Sequence, residues 1–208
     1  MNTVSNRQHD GTPSAWVVRF AHLIAPGARV LDVAAGRGRH ARFLAARGAS
    51  VVALDRDADA LGELHGIARI TTEVADLESG AWPLADARFN AVVVVHYLHR
   101  PLLGRLRGAL SPGGLLLYET FAQGNEAFGR PRNPDFLLAP GELLTWAAEP
   151  PALTVVAFEQ GLVRHGADSV VVQRLAAVAP GHPWPPLLFT AHAGTREGGA
   201  DRVESPIS

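Results

Sequence analysis

Short apolar runs alternate with glycine-broken amphipathic stretches along this chain, and that alternation predicts a parallel α/β sheet. Val30, Leu31 and Val33 form a brief apolar run suited to a central strand covered on both faces. Gly36 and Gly38 follow, where the backbone can turn sharply, and a helix runs from near Arg39 to Arg47-Gly48. Residues 50–54 rebuild a strand that ends at Asp55. The same rhythm predicts a helix over 57–66, a strand over 69–74 with Asp76 just beyond it, and a valine-rich strand over 90–95. A helix over 101–110 stops at Ser111-Pro112-Gly113-Gly114 and feeds a fifth strand over 115–120. A short helix over 141–148 precedes two last strands, 153–159 and 169–177, whose short join through Gly161 and Gly166 predicts an antiparallel hairpin. The expected fold is therefore α/β: a doubly wound, seven-stranded, mostly parallel sheet with an antiparallel C-terminal hairpin.

Around this unit the pattern weakens. Residues 1–12 are polar and aperiodic and read as a mobile start, with Pro13 and Ser14 opening a helix through Ala25. Residues 13–179 form one domain, without internal repeats, and residues 180–208 read as a Pro/Gly-rich tail. Residues 121–140 lack any period and form a long loop, the kind that in compact domains usually carries function.

Composition narrows the chemistry. The 208 residues, 47% hydrophobic, suffice for a full core, and a formal net charge of −1 gives no overall attraction to nucleic acid or anionic membrane. Without cysteine there is no disulfide, no thiolate catalysis and no cysteine-held metal. All 19 basic residues are arginine. That excludes a phosphate loop ending in lysine, a Schiff-base enzyme, and the Tyr-x-x-x-Lys pair of short-chain dehydrogenases. No apolar run approaches the ~20 residues of a membrane span, and the start lacks the apolar stretch of a secretory signal. A cytoplasmic location is expected.

Three acids mark the strand ends. Asp55 can accept both hydroxyls of a ribose in charge-assisted hydrogen bonds. Asp32 lies inside the first strand, where a buried carboxylate needs a partner; a ligand ammonium, met directly or through water, supplies one. Asp76 follows the third strand, where an adenine amino group can bind. The run Gly36-Arg37-Gly38-Arg39-His40-Ala41 also satisfies the loose dinucleotide pattern, so a nicotinamide-dependent oxidoreductase is one reading. Asp32 and Asp76 have no explanation in it.

Asp32-x-Ala34-x-Gly36-x-Gly38, Asp55, Asp76-Leu77 and Leu110-x-Pro112-Gly113-Gly114 together resemble the motifs of class I S-adenosylmethionine-dependent methyltransferases, in order and spacing, over residues 14–177. The resemblance is strongest to the small bacterial branch that includes tellurite-resistance-type enzymes. One departure is Ala34, where the family's loop has its first glycine. The resemblance implies a Rossmann-like methyltransferase fold, S-adenosylmethionine as cofactor, and methyl transfer by in-line displacement. It places Ala34, Gly36 and Gly38 along the methionine part, Asp55 on the ribose diol, Arg56 beside the adenine, Asp76 at the adenine amino group, and the Leu77 N–H as a donor to the ring.

Reacting groups belong at the ends of the fourth and fifth strands. His96 and Tyr97 are the candidates for lining the methyl-transfer pocket, His96 also bordering the cofactor. Glu119 reads as a structural acid or a catalytic one. The pair His96/His99 lacks a partner acid at ligand spacing, so no metal is expected. The arginines of the long loop, Arg130 and Arg132, suit either an anionic acceptor or a solvated surface. The Asn-Pro-Pro-Tyr/Phe motif of amide- and base-nitrogen methylation is absent, so a small-molecule acceptor is expected, with no nucleic acid and no membrane partner. A non-catalytic module that senses S-adenosylmethionine is the remaining alternative.

Overall fold

The computed structural model describes residues 11–165 and 168–183. The expectations for residues 1–10 and 184–208 lie outside the described part. Strands β1 (Arg29–Val33), β2 (Ser50–Asp55), β3 (Ile70–Val74), β4 (Phe89–Val95), β5 (Leu110–Phe121), β6 (Thr154–His165) and β7 (Asp168–Val178) form one sheet in the order β3-β2-β1-β4-β5-β7-β6. β1 to β5 pair in parallel, and β7 runs antiparallel to both β5 and β6. The hairpin therefore enters the sheet with its second strand inside and its first at the edge.

Helices α1 (Ala15–Phe20), α2 (Arg39–Ala46), α3 (Ala58–Gly62), α4 (Leu103–Gly108) and α5 (Glu142–Ala148) cover both faces. The continuous apolar runs of the strands follow from that double cover, because alternate side chains enter different cores. Leu31, Val33, Val92, Val94, Leu116 and Tyr118 pack with Leu106 of α4 and Leu143 and Trp146 of α5. Val30, Val51, Val93, Leu115 and Leu117 pack with Trp16, Val17 and Phe20 of α1, Ala41 and Leu44 of α2, Leu61 of α3 and Leu64 just beyond it. By the same two-residue period, Asp32 and Glu119 share the second face, beneath α1 and α2.

Several element bounds differ from those the pattern predicts. α1 ends at Phe20 and tightens into a 3₁₀ turn at Ala21–Leu23. α3 gives way after Gly62 to turns with Leu64 N–H bonded to Leu61 C=O and His65 N–H to Gly62 C=O, as expected where glycine lowers helix propensity. β5 starts at Leu110, ahead of the Pro-Gly-Gly stretch, because Leu110 pairs with Phe89 before a register shift in the ladder.

Gly38 is fixed by space as well as by conformation. Its φ is +72°, and a Cβ there meets Leu64 Cδ1 and Cδ2 at 2.5 Å, with Leu64 only 1% exposed and unable to swing away. Gly38→Ala is expected to destabilise the fold by about 1–3 kcal/mol, read as a lower urea midpoint; an unchanged midpoint contradicts this packing.

Among the described residues no helix is long and apolar enough to cross a membrane, and no group of three or more His, Asp or Glu is placed to hold a metal ion.

Candidate active site

The carboxyl ends of β1 to β5 open into a cavity of about 670 Å³, within the usual size of small-molecule sites. Its walls are Ala34 after β1, Asp55 and Arg56 after β2, Ala75 to Glu78 after β3, His96 to Leu98 after β4, and Thr120 and Phe121 of β5, closed by Pro131 and Phe136 from the loop beyond. Seven of the positions singled out in the sequence thus meet in one space: Ala34, Asp55, Arg56, Asp76, Leu77, His96 and Tyr97. Asp32, Gly36 and Gly38 are not among the lining residues.

Asp55 is held before any ligand arrives. Its Oδ2 accepts the Gly36 N–H at 2.7 Å and its Oδ1 the Asp57 N–H at 2.9 Å. Gly36 adopts φ +53° in that turn, so the glycine loop and the acid position one another. A carboxylate oxygen has two lone-pair directions, and one backbone bond to each leaves capacity for a diol. Asp76 is engaged more locally: its Oδ1 accepts the Glu78 N–H and its Oδ2 the Ser79 hydroxyl at 2.6 Å. The Ser79 bond, helped by the Glu78 amide, holds this carboxyl below its ordinary range. The Leu77 N–H has no hydrogen-bond partner among the described residues.

Two wall residues carry backbone strain. Ala34 has φ +54° and His96 φ +58°, in the left-handed region that costs a residue with a Cβ about 1–2 kcal/mol. Ala34 therefore takes the backbone shape for which glycine is the cheaper residue. The His96 ring stacks on Phe121, with centroids 4.7 Å apart and planes 24° from parallel. Its Nε2 lies 3.6 Å from Glu119 Oε1, and its N–H donates to the Glu119 carbonyl. The Tyr97 phenol oxygen is buried without a partner. Burial, reinforced by the nearby Glu78 and Asp76, pushes its ionisation well above the ordinary phenol range, so Tyr97 is a neutral O–H at physiological pH. Buried Tyr118 donates to the Tyr97 carbonyl at 3.0 Å and anchors this turn from below.

Asp32 has a different setting from the one its sequence position suggested. It is 1% exposed, its Oδ2 accepts the Ala41 N–H at 3.0 Å, and its Oδ1 lies 3.9 Å from His40 Nδ1. Its partners are thus the start of α2 and a histidine of this chain, behind the glycine loop. His40 Nε2 accepts the Ser14 N–H at 3.1 Å, which puts the ring proton on Nδ1, toward Asp32. Ser14 then donates its hydroxyl to Glu119 Oε2 at 3.0 Å, and Arg174 Nε meets the same oxygen at 2.7 Å. A polar chain thus runs from beneath the glycine loop to the support of His96.

Within this chain Asp32 and Glu119 are pushed in opposite directions. Burial raises the Asp32 carboxyl to about 7, more than the Ala41 hydrogen bond and nearby Arg39 lower it. Burial also acts upward on Glu119, but the His96 hydrogen bond, the Arg174 charge and the Ser14 hydroxyl together outweigh it and hold Glu119 at about 2. For Asp32 the folded chain holds a proton that the unfolded chain releases near 3.8. Its contribution to stability is therefore full below that pH and lost as pH rises through about 7. Asp32→Asn keeps an acceptor for Ala41 and removes the titration, so its melting temperature is expected to fall less than that of the unaltered protein between pH 5 and pH 8. Parallel melting curves for the two proteins over that range contradict the assignment.

The long loop is ordered and built inward. Buried Asn125 donates to the Pro131 carbonyl at 3.2 Å and accepts the Val171 N–H. Arg100 donates to the Asp135 and Leu137 carbonyls and grips Glu142. The loop presents Pro131 and Phe136 to the cavity, while Arg130 and Arg132 are exposed and not among its walls. His99 and Glu119 are likewise not wall residues. Ser14, His40 and Arg174, which complete the polar chain, were not singled out as site residues in the sequence. The phase of β5 and β7 offers a signal for them: Glu119 and Arg174 fall on the same face as Leu117 and Ala176, where only a polar residue with a partner is tolerated.

Comparison with known proteins agrees with this geometry. Residues 30–114 match the family model described as a methyltransferase domain. The chain is 32% identical over 149 residues to the tRNA U34 carboxymethyltransferase of Methylococcus capsulatus, covering 62% of this chain and 46% of that protein. It is 33% identical over 123 residues to the demethylmenaquinone methyltransferase of Clavibacter sepedonicus, covering 54% and 49%. The chain thus spans about half the length of these curated relatives. Its fold superposes on TehB from Haemophilus influenzae with a TM-score of 0.68 at 16% identity, over 84% of this chain and 65% of that one. The fold is that of the class I S-adenosylmethionine-dependent methyltransferases. The match of residues 30–114 to a methyltransferase-domain model, together with this fold, favours S-adenosylmethionine over a nicotinamide cofactor.

Proposed function

We propose that this protein transfers a methyl group from S-adenosylmethionine to a small-molecule acceptor. The observation that carries the reading is the single cavity at the strand ends, which joins Asp55, Asp76 and Leu77 to His96 and Tyr97. The residues fit the cofactor. Asp55, its orientation set by two backbone amides, would hold the ribose diol. Asp76 and the unpartnered Leu77 N–H would meet the adenine edge, with Arg56 beside the ring and the buried Tyr97 hydroxyl in reach of a polar group. Ala34 would line the methionine part, and Gly36 and Gly38 would shape the loop behind it. Asp32 would act through that loop, by fixing the start of α2.

When bound, S-adenosylmethionine supplies a methyl group already activated on a sulfonium, so the chain's task is to orient the acceptor and exclude water. Phe121, Pro131 and Phe136 provide the exclusion. His96, strained, stacked on Phe121 and facing Glu119, borders the place where acceptor and methyl group meet. A small acceptor fits a cavity of about 670 Å³ with one arginine on its wall better than an extended anionic chain, which needs several cationic contacts.

Calorimetric titration tests the reading. S-adenosylmethionine and S-adenosylhomocysteine are expected to bind one per chain and to raise the melting temperature, with no effect from NADH. Failure of both adenosyl ligands to bind would remove the proposal. Binding without methyl release against any member of an acceptor panel would favour a sensing module.

A further inference from the structure

The two halves of the cavity differ in charge. The part formed after β1, β2 and β3 carries Asp55, Arg56, Asp76 and Glu78. The part formed by β4, β5 and the following loop contributes no formally charged wall residue apart from the titratable imidazole of His96. Glu119, the acid nearest this half, is 3% exposed, is not a wall residue, and is balanced by Arg174 at 2.7 Å.

We propose that the acceptor is a neutral aromatic molecule whose ring lies against Phe121 and Phe136. This inference rests on the methyl-transfer reading and names the substrate class of the same site. A carboxylate or phosphate placed there loses its hydration without gaining a cation, and an ammonium loses it without gaining an acid; either costs several kcal/mol. The exposed Arg130 and Arg132 do not offer the missing cation, since neither reaches the wall. What the half does offer is ring surface. The stacked His96 and Phe121 pair, Phe136, the flat side of Pro131 and the ring of Tyr97 favour a planar guest by offset stacking and edge contacts. Thr120 supplies a neutral hydroxyl to one edge of that guest, while the His96 imidazole is already turned to Glu119 at 3.6 Å.

The test uses the full chain saturated with S-adenosylhomocysteine and four probes of similar size: 2-naphthol, 2-naphthoate, 2-naphthylmethylammonium and the saturated alcohol 2-decalol. By calorimetry at neutral pH, 2-naphthol is expected to bind at least about tenfold tighter than either charged probe and about threefold or more tighter than decalol. Phe136→Ala is expected to weaken 2-naphthol by about fivefold or more and Phe136→Tyr to restore it, while S-adenosylhomocysteine still binding one per chain in the same samples confirms folding. Equal or tighter binding of a charged probe or of decalol, or indifference of 2-naphthol to Phe136→Ala, overturns the inference while leaving the cofactor reading intact. Absence of S-adenosylhomocysteine binding by the unaltered protein overturns both.

Discussion

Asp55→Ala is expected to weaken S-adenosylhomocysteine and S-adenosylmethionine binding by about ten- to a hundredfold, the size of one hydrogen bond to a charged acceptor at ~1.5–3 kcal/mol. Two effects add. The ribose loses its acceptor, and the glycine turn loses the carboxylate that holds the Gly36 N–H at 2.7 Å. Asp55→Asn separates them. Its amide oxygen can still accept the Gly36 N–H, so the loop survives while the charge is lost. The asparagine variant is therefore expected to fall between the unaltered protein and Asp55→Ala, with a melting temperature close to that of the unaltered protein. Calorimetry decides the point: unchanged affinity in Asp55→Ala refutes the ribose assignment. Equal losses in the two variants locate the effect in charge alone.

The strand–turn–helix–strand unit around this acid was legible because each signal in it is local. Alternate burial, a positive-φ glycine turn and a strand-end acid occupy neighbouring positions, and the class of fold follows from their repetition. The wall residues after β3 and β4 were legible for the same reason, as each immediately follows an apolar strand. Asp32 shows where local reading stops. A carboxylate inside a strand demands a partner, but whether that partner is a ligand or the chain itself depends on which helix crosses above it. Here α2 supplies the Ala41 N–H and His40, and the N-cap of α1 supplies Ser14 to His40. The loop arginines show the converse: charge was visible in the sequence, while its direction depended on how Asn125 and Arg100 fold residues 121–140 inward.

Glu119, Arg174 and Glu159 could not be joined from sequence at all, since register decides them. Glu119 stands opposite Arg174 across β5 and β7, and Arg174 opposite Glu159 across β7 and β6. A one-residue slip in the hairpin sends Arg174 to the other face. That placement turns an internal arginine into the counter-charge for a buried acid, and so into a support for the turn that carries His96.

Arg174→Met is expected to destabilise the protein by about 3–5 kcal/mol, because it strands the Glu119 carboxylate in a buried site, and that is a large share of the ~5–15 kcal/mol holding a typical domain together. The exposed contact with Glu159, at 3.4 Å, adds little. The double replacement Glu119→Leu with Arg174→Met removes both charges and is expected to cost clearly less than the single change, a non-additivity that surface pairs do not show. The pH dependence gives a second check. In the unaltered protein Glu119 sits at about 2 when folded against an ordinary 4.5, so its stabilisation is complete above 4.5 and is lost as pH falls toward 2. Without Arg174 burial is opposed only by His96 and Ser14, so the carboxyl moves up from about 2, and acidification toward pH 4.5 relieves the under-compensated charge instead of breaking a pair. Urea unfolding at pH 7 and pH 4.5 should therefore show the deficit of Arg174→Met shrinking at the lower pH. A deficit below about 1 kcal/mol at pH 7, or one that grows on acidification, means that Glu119 does not depend on Arg174 and that the support of His96 lies elsewhere.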